Sequence, residues 1–500
     1  MKNRVYQTAS VVTGLSVAER ALGFLYRILL SRLIGAEGLG LYQVALSLFS
    51  VFLTIGAGGI PISVSRLISK SKAENDALGE RSAFSAGAAL CLLLTLPVAI
   101  VFGIFAPRMN FLFSDARCAG VFRILLIGLI FSSLYAVIRG YFWGNKEFLI
   151  PSVLEIAEES VMVIAGVLLL QNVSTPESGA HLAAWAVVLS YLFSFTASTL
   201  CFFFKNGKIS SPKKMLKPLF NASLPITSVR VSGSLVNSAI AVLLPVALIR
   251  AGASESEAMR LFGIVSGMAI PILFIPSTVI GSLSLVLVPE LSEDFYRKNK
   301  QRLYKNLRRG LRVSFMIACM LIPMFFVLGD DLGEIAFSNA TAGEIITRSC
   351  PILLPMSLTM ITTGMLNSMG FEKKTFAYYF IGAAVMLASI LLLPRYCGVY
   401  AYVIVLGASY LINAVCNLKL LGKECPELFQ KDDKASLRKM GFALAAILPV
   451  SLIGLSFQAL FSKIFGELVC AIAVGIVMAI ATVSVYFLCG LLPKKSKKRT

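Results

Sequence analysis

Of the chain's 500 residues, 57% are hydrophobic and only 14% charged, and the mean hydropathy is +0.82; a soluble domain carries about 25% charged residues. Apolar, helix-periodic stretches recur from end to end, each long enough to cross about 30 Å of hydrocarbon, which excludes a soluble domain and an outer-membrane barrel. The net charge of +20 raises nucleic acid as a partner, but Lys and Arg crowd every second loop, which is the positive-inside pattern of a polytopic membrane protein and not a nucleic-acid face.

In chain order, fourteen all-α spans are expected at 7–31, 40–68, 82–106, 120–144, 150–171, 181–204, 219–250, 260–289, 308–329, 346–368, 375–394, 398–421, 438–460 and 466–491. The alternative counts are twelve and thirteen. The first span has a basic start but runs through Glu19, Arg20 and Arg27 with no small-residue cleavage site, so it reads as an uncleaved span. Lys70, Lys72 and Arg81 follow the second span, and Lys205, Lys208, Lys213, Lys214 and Lys217 the sixth. Arg297, Lys298, Lys300, Arg302, Lys305 and Arg308 follow the eighth, and Lys419, Lys423, Lys431 and Lys434 surround the loop after the twelfth. The tail adds Lys494, Lys495, Lys497, Lys498 and Arg499. Opposite loops carry isolated charges such as Arg108, Arg117, Arg395 and Lys463. Both termini are therefore expected in the cytoplasm; the basic tail reads either as a solvated topogenic signal or as a contact for anionic lipid.

A weak internal echo divides the chain. A span with Arg20 and Arg27 leads to the Gly/Pro-broken IGAGGIPISVSRLIS, and about 210 residues later a span with Arg230 leads to LFGIVSGMAIPILFIPS. Parallel repeats of this kind predict two pseudo-symmetric six-helix lobes, 1–215 and 216–425. Residues 426–500 hold two further spans and the basic tail. The ten cysteines are single and show no CxxC, so they read as buried thiols, with a Cys350–Cys397 disulfide as the minor alternative.

Six arginines fall inside membrane-length segments: Arg20, Arg27, Arg66, Arg123, Arg139 and Arg230. Each costs roughly 2.5–3.5 kcal/mol at the centre of a span unless it faces water or an anion, and a guanidinium forks onto phosphate oxygens. Arg20 and Arg27 are seven apart and share a helix face with Gly23 between them. Arg66 follows the Gly56–Pro61 break, and Arg230 lies near mid-depth with Asn237 seven residues on. These four arginines are the candidate anion-binding set; pairing with Glu19, Glu155, Glu158 or Glu159, or snorkelling, is the structural alternative. Arg123 and Arg139 sit nearer span ends, where Arg139 is a pore-mouth candidate. Glu155 and Glu159 share a face. With Glu158 they are candidates for coupling, with pairing to a nearby arginine the blander reading. His181 stands alone, so no metal site is expected. No nucleophile–base motif or P-loop is present, so no enzyme activity and no cofactor are expected.

Taken together, ERALGFLYRILLSRLIGAEGLGLY, GIPISVSRLIS, IRGYFWGN, LFGIVSGMAIPILFIPSTVIGSLSLVLVPELSE and TTGMLNSMG resemble the polysaccharide-transporter branch of the multidrug/oligosaccharidyl-lipid/polysaccharide exporter superfamily, in particular its stage V sporulation protein B group, related to the lipid II flippases. The resemblance runs along the whole chain. It implies fourteen helices, alternating access and export of a polyprenyl-pyrophosphate-linked saccharide across the bacterial cytoplasmic membrane. It implies pyrophosphate binding by Arg20 and Arg27, and more loosely by Arg66 and Arg230, a lateral groove for the polyprenyl tail at the last two spans, and resetting by the membrane potential or a monovalent cation. Membrane lipids and cell-wall synthesis proteins are the expected partners. The chain departs from the family at Met162, where an arginine is common, and at Asn237, where an acid is common. The rival functions are a drug/cation antiporter on the same fold, which needs an acidic or aromatic cavity, a membrane enzyme acting on lipid-linked sugars, and a scaffold for cell-wall synthases.

Overall fold

A computed structural model describes residues 2–105, 112–429, 434–462 and 466–488. The tail lysines and Arg499, together with Arg108, Lys431 and Lys463, lie outside the described residues. All regular structure among the described residues is helical. It divides into two compact units, residues 1–267 and 268–500.

The first unit begins with α1, Lys2–Ala57, a single run of helix interrupted at Gly35 (φ 69°, ψ 178°). That left-handed conformation favours glycine, and it separates the first two expected spans. At Gly58–Gly59 the helix breaks again before α2, Ile60–Ala73, which starts with Pro61 in its first turn. Proline is favoured there because the lost N–H had no intrahelical partner. The break falls inside the segment where the Gly/Pro pattern places it. α3 (Ala77–Phe105), α4 (Arg117–Gly144), α5 (Leu149–Leu169), α6 (Pro176–Phe204) and α7 (Lys213–Arg250) follow. α6 opens on a reciprocal cap in which Thr175 and Ser178 exchange side-chain and backbone hydrogen bonds.

Within this unit α4 is packed by α1, α2, α3 and α6. Lipid tails are as apolar as leucine, so burial alone does not hold these helices together; close backbone approach does. α6 presents Ala180, Ala183, Ala184, Val187, Ser190, Ser194 and Ser198, all buried and at helical spacing, which is a small-residue face for α4. At the other end, Ile60, Val64, Ile68, Phe84, Val137, Phe142 and Phe202 form one apolar cluster. Large exposed apolar residues, such as Leu93, Ile104, Ile164 and Leu168, then mark lipid-facing surface.

The chain leaves the first unit in a π-helical stretch, Gly263–Ala269, between α8 (Glu255–Phe262) and the short α9 (Ile270–Leu273). The second broken span of the sequence lies here.

The second unit continues with α10 (Ile275–Tyr296), α11 (Lys300–Phe337), α12 (Ala340–Ser349), α13 (Leu353–Ser368), α14 (Glu372–Leu392), α15 (Pro394–Cys397), α16 (Tyr400–Glu424), α17 (Lys434–Ala445), α18 (Ile447–Phe461) and α19 (Glu467–Leu488). α11 contacts α10, α12, α13, α18 and α19. The last two helices seal onto it through Val327, Leu328, Val450, Val474 and Met478.

By length and hydropathy 13 described helices can cross a membrane. Breaking α1 at Gly35 adds a crossing, and α5, apolar apart from its three glutamates, is long enough to add another. The count is thus close to the fourteen expected. All nine described cysteines are free, Cys350 and Cys397 included, so the alternative disulfide is not formed.

Candidate functional site

The first unit holds an open cavity of about 570 Å³ between α1, α4, α5, α6 and α7. Glu19 comes from α1, Tyr135 and Arg139 from α4, and Glu155, Glu158 and Glu159 from α5; Tyr191 comes from α6, and Arg230 and Asn237 from α7. α1 and α7 are joined at its edge by the Thr54 and Ser234 hydroxyls, 2.9 Å apart.

Arg139 organises the acidic wall. Its Nη1 donates to Glu155 Oε1 at 2.7 Å. Its guanidinium carbon lies 5.8 Å from the Tyr135 ring centroid and 5.0 Å from that of Trp143, a cation–π bracket from positions i−4 and i+4 of the same helix. Glu19 interacts with Glu155, Arg139 and Arg20. One oxygen each of Glu158 and Glu159, and Nε of Arg139, are buried without a hydrogen-bond partner. The wall therefore holds four carboxylates with Arg139 as the one arginine ion-paired to it, and three of its polar atoms are buried without a partner.

Glycines bring the helices close enough to build this wall. The Glu159 carboxylate lies over Gly23 of α1, where an added Cβ would sit 3.6 Å from Oε2. The Tyr26 ring covers Gly166 of α5, 2.6 Å from where a Cβ would stand. Gly23 thus admits a neighbouring side chain from α5.

The arginines separate. Arg230 lines the cavity, is exposed, and has no ion pair or side-chain hydrogen bond among the described residues. Arg139 also lines it but is paired. Arg27 is half-buried behind the wall and interacts with Glu159 and Tyr42. Arg20, Arg66 and Arg123 are exposed on their helices and do not line this cavity. Of the nine sequence candidates, the cavity brings together Arg139, Glu155, Glu158, Glu159, Arg230 and Asn237. Reading the sequence for arginines alone left out Tyr135 and Trp143. Their spacing around Arg139 carried the signal. His181 packs against Gly120 with its Nε2 buried and unpartnered, and no set of three or more metal-ligating side chains occurs among the described residues.

With this geometry in view, the sequence profile of a family described as polysaccharide biosynthesis protein matches residues 5–295. The chain belongs to that family. It is 26% identical to stage V sporulation protein B of Bacillus subtilis, over 69% of each chain. It is 22% identical to the lipid II flippase MurJ of the same organism, over 79% of this chain and 78% of that one. A solved structure of a lipid II flippase MurJ in an inward closed conformation matches with a TM-score of 0.75 at 14% identity, covering 96% of this chain and all of the other (100%). An inward-facing MATE-family multidrug resistance transporter of the MOP superfamily matches with a TM-score of 0.71 at 16% identity, over 82% and 95%. The fold is thus that of MOP-superfamily transporters, and the chain is a multi-pass membrane protein.

Proposed function

We propose that the protein is a flippase that carries a polyprenyl-pyrophosphate-linked saccharide, a peptidoglycan precursor or similar surface unit, from the inner to the outer leaflet of a bacterial cytoplasmic membrane. The observation that carries this reading is Arg230, an arginine without an acidic partner presented to an open cavity, in a chain that belongs to a polysaccharide biosynthesis family and has a lipid II flippase among its relatives. Arg230 is the anion receptor, and Arg20 and Arg66, both exposed on their helices, relay the pyrophosphate along the same unit. Arg27 holds the acidic wall in place from behind. Lobes of 1–215 and 216–425 rock about the bound headgroup, and both termini face the cytoplasm. Moving anionic charge outward across an inside-negative membrane gains about 2.3 kcal/mol per charge per 100 mV, so the membrane potential drives the loaded step, while Glu155, Glu158, Glu159 and Asn237 take part in resetting.

A second reading draws on the acidic wall itself. Four carboxylates on one cavity suit an organic cation, so a drug/cation exporter on the same fold is the rival. Complementation of a flippase-depleted strain separates the two. Arg230→Ala and the Arg20→Ala/Arg27→Ala pair are expected to reach the membrane yet leave the lipid-linked intermediate on the inner leaflet. Full complementation by both variants, together with efflux of a lipophilic cation that Glu158→Gln/Glu159→Gln abolishes, establishes the rival.

A further inference from the structure

A second cavity, of about 350 Å³, opens where α2, α4 and α6 end and α3 begins. Lys72, Arg81, Lys205 and Lys208 line it with only two acids, Glu80 and Glu147. Helix C-termini attract cations through their unpaired carbonyls, but here those carbonyls are already closed off. Asn75, Lys146 and Asn206 adopt left-handed φ of 55°, 63° and 56°. The next N–H after each, from Asp76, Glu147 and Gly207, reaches back to Ser71, Phe142 and Phe202 O at 2.8, 2.9 and 2.9 Å, the pattern that satisfies a helix end without side chains. The basic residues are therefore not needed as caps.

Nor are they all neutralised. Lys205 pairs with Glu147 at 3.0 Å and Lys72 with Glu80 at 3.9 Å. Arg81 and Lys208 have no acidic partner among the described residues, so the cavity holds two uncompensated cations. Tyr141 also lines it, its ring fixed 5.6 Å from that of Phe84 and 4.8 Å from that of Phe202. Its hydroxyl has no hydrogen-bond partner among the described residues. Two free cations and a phenol in one concavity present the donors that a phosphate takes.

The flanking residues decide between a soluble phosphate and a lipid. Phe203 and Phe204, directly before Lys205, are 55% and 84% exposed, Leu78 is 63% exposed, and Ile209, directly after Lys208, is 67% exposed. A site for a free anion has no use for such neighbours, whereas a headgroup site has acyl chains to place against them. We propose that this cavity binds the phosphate headgroup of an anionic glycerophospholipid of the cytoplasmic leaflet, with Arg81 and Lys208 on the phosphate oxygens and the chains lying along the Phe203–Phe204 end of α6. Basic pockets between spans on the cytoplasmic side are suited to such headgroups.

The test is lipid binding to the purified full-length protein by native mass spectrometry, with dioleoylphosphatidylglycerol as the probe. Arg81→Gln/Lys208→Gln is expected to weaken binding roughly thirtyfold, about 2 kcal/mol at 1.4 kcal/mol per decade. Lys373→Gln/Lys419→Gln, two exposed lysines of the second unit, is expected to leave it unchanged. Phosphatidylcholine should bind at least tenfold more weakly, a ratio matching one decade. Inorganic phosphate and pyrophosphate should not displace the lipid. Unaltered affinity in the first double variant overturns the proposal, as does equal loss in the second, equal binding of phosphatidylcholine, or displacement by free phosphate, which assigns the cavity to a soluble anion. Lys208 lies in an exposed loop, so Lys208→Gln alone serves if Arg81→Gln lowers the melting temperature.

Discussion

Arg139 and Glu155 form one ion pair, yet their removal should not cost the same. Taking away Arg139 leaves Glu155, Glu19 and Glu158 facing one another. Taking away Glu155 leaves Arg139 with other acids still in range. Arg139→Gln should therefore destabilise the protein by about 1–3 kcal/mol, the cost of an unsatisfied buried polar group, and Glu155→Gln by less, with the double variant milder than the sum. Chemical denaturation in detergent measures all three, and a double variant that loses the full sum of the single losses would show that the pair is not coupled. A second pair permits a pH prediction. The Lys214 ammonium, 2.6 Å away, and the Gly79 N–H hold the Asp76 carboxyl below its ordinary 3.8. A depressed carboxylate contributes stability above its unfolded pKa and loses it as pH falls through its folded pKa. The difference in melting temperature between the protein and its Asp76→Asn variant should be constant from neutral pH down to about 5, and should shrink progressively as pH falls below the ordinary aspartate value near 3.9 and through the lowered folded one. Sequence reading reached the glutamates of α5 and their proximity to arginine, because charge in an apolar run is conspicuous. It did not reach which arginine each acid meets: Glu155 to Arg139 is a contact between neighbouring helices, and no spacing along either helix encodes it.

Between elements, glycine sets how near two helices come, and the consequences differ by what lies opposite. An added Cβ at Gly263 would strike the backbone carbonyl of Ala36, and one at Gly40 the carbonyl of Met259. Backbone cannot turn aside, so α1 and α8 would have to separate. Gly263→Ala should cost at least the 1–3 kcal/mol typical of overpacking, and should lower the yield of folded protein in the membrane. Gly103→Ala in α3, with nothing within 4 Å of the new methyl, should instead be neutral or stabilising by about 0.5–1 kcal/mol. Thermal melts of the two variants test the contrast; similar melting temperatures would remove close approach as the reason for the glycine. The breaks in both Gly/Pro-rich spans were legible, since proline and glycine punctuate helices locally. The small-residue face of α6 was written in its alanines and serines, but which helix it would receive depended on the whole unit. At Gly263–Ala269 the sequence signalled a break but not that it would take the form of a π-helical turn.

For the molecule as a whole, the sequence reads a crossing count and an orientation, and the two stand or fall on one helix. α5 carries Glu155, Glu158 and Glu159, three charges in one membrane-length run. Its glutamates line a cavity instead of facing lipid, which removes most of the penalty for charge in a span, so it can cross. If it does, the residues before and after it lie on opposite sides of the membrane, and the basic segment after α6 returns to the side of Lys146. In a background with the native cysteines replaced, Lys146→Cys and Asn206→Cys should react with a membrane-impermeant maleimide only after cells are opened, while Asn172→Cys should react in intact cells. Protection of Asn172→Cys would mean that α5 does not span, and every later loop would need a compensating change of side to keep its lysines inside. The reverse pattern, with labelling of Lys146→Cys and Asn206→Cys in intact cells, would invert the protein. It would place the Arg81–Lys208 cavity in the outer leaflet and set the arginines of the first unit against the direction in which the membrane potential moves an anion.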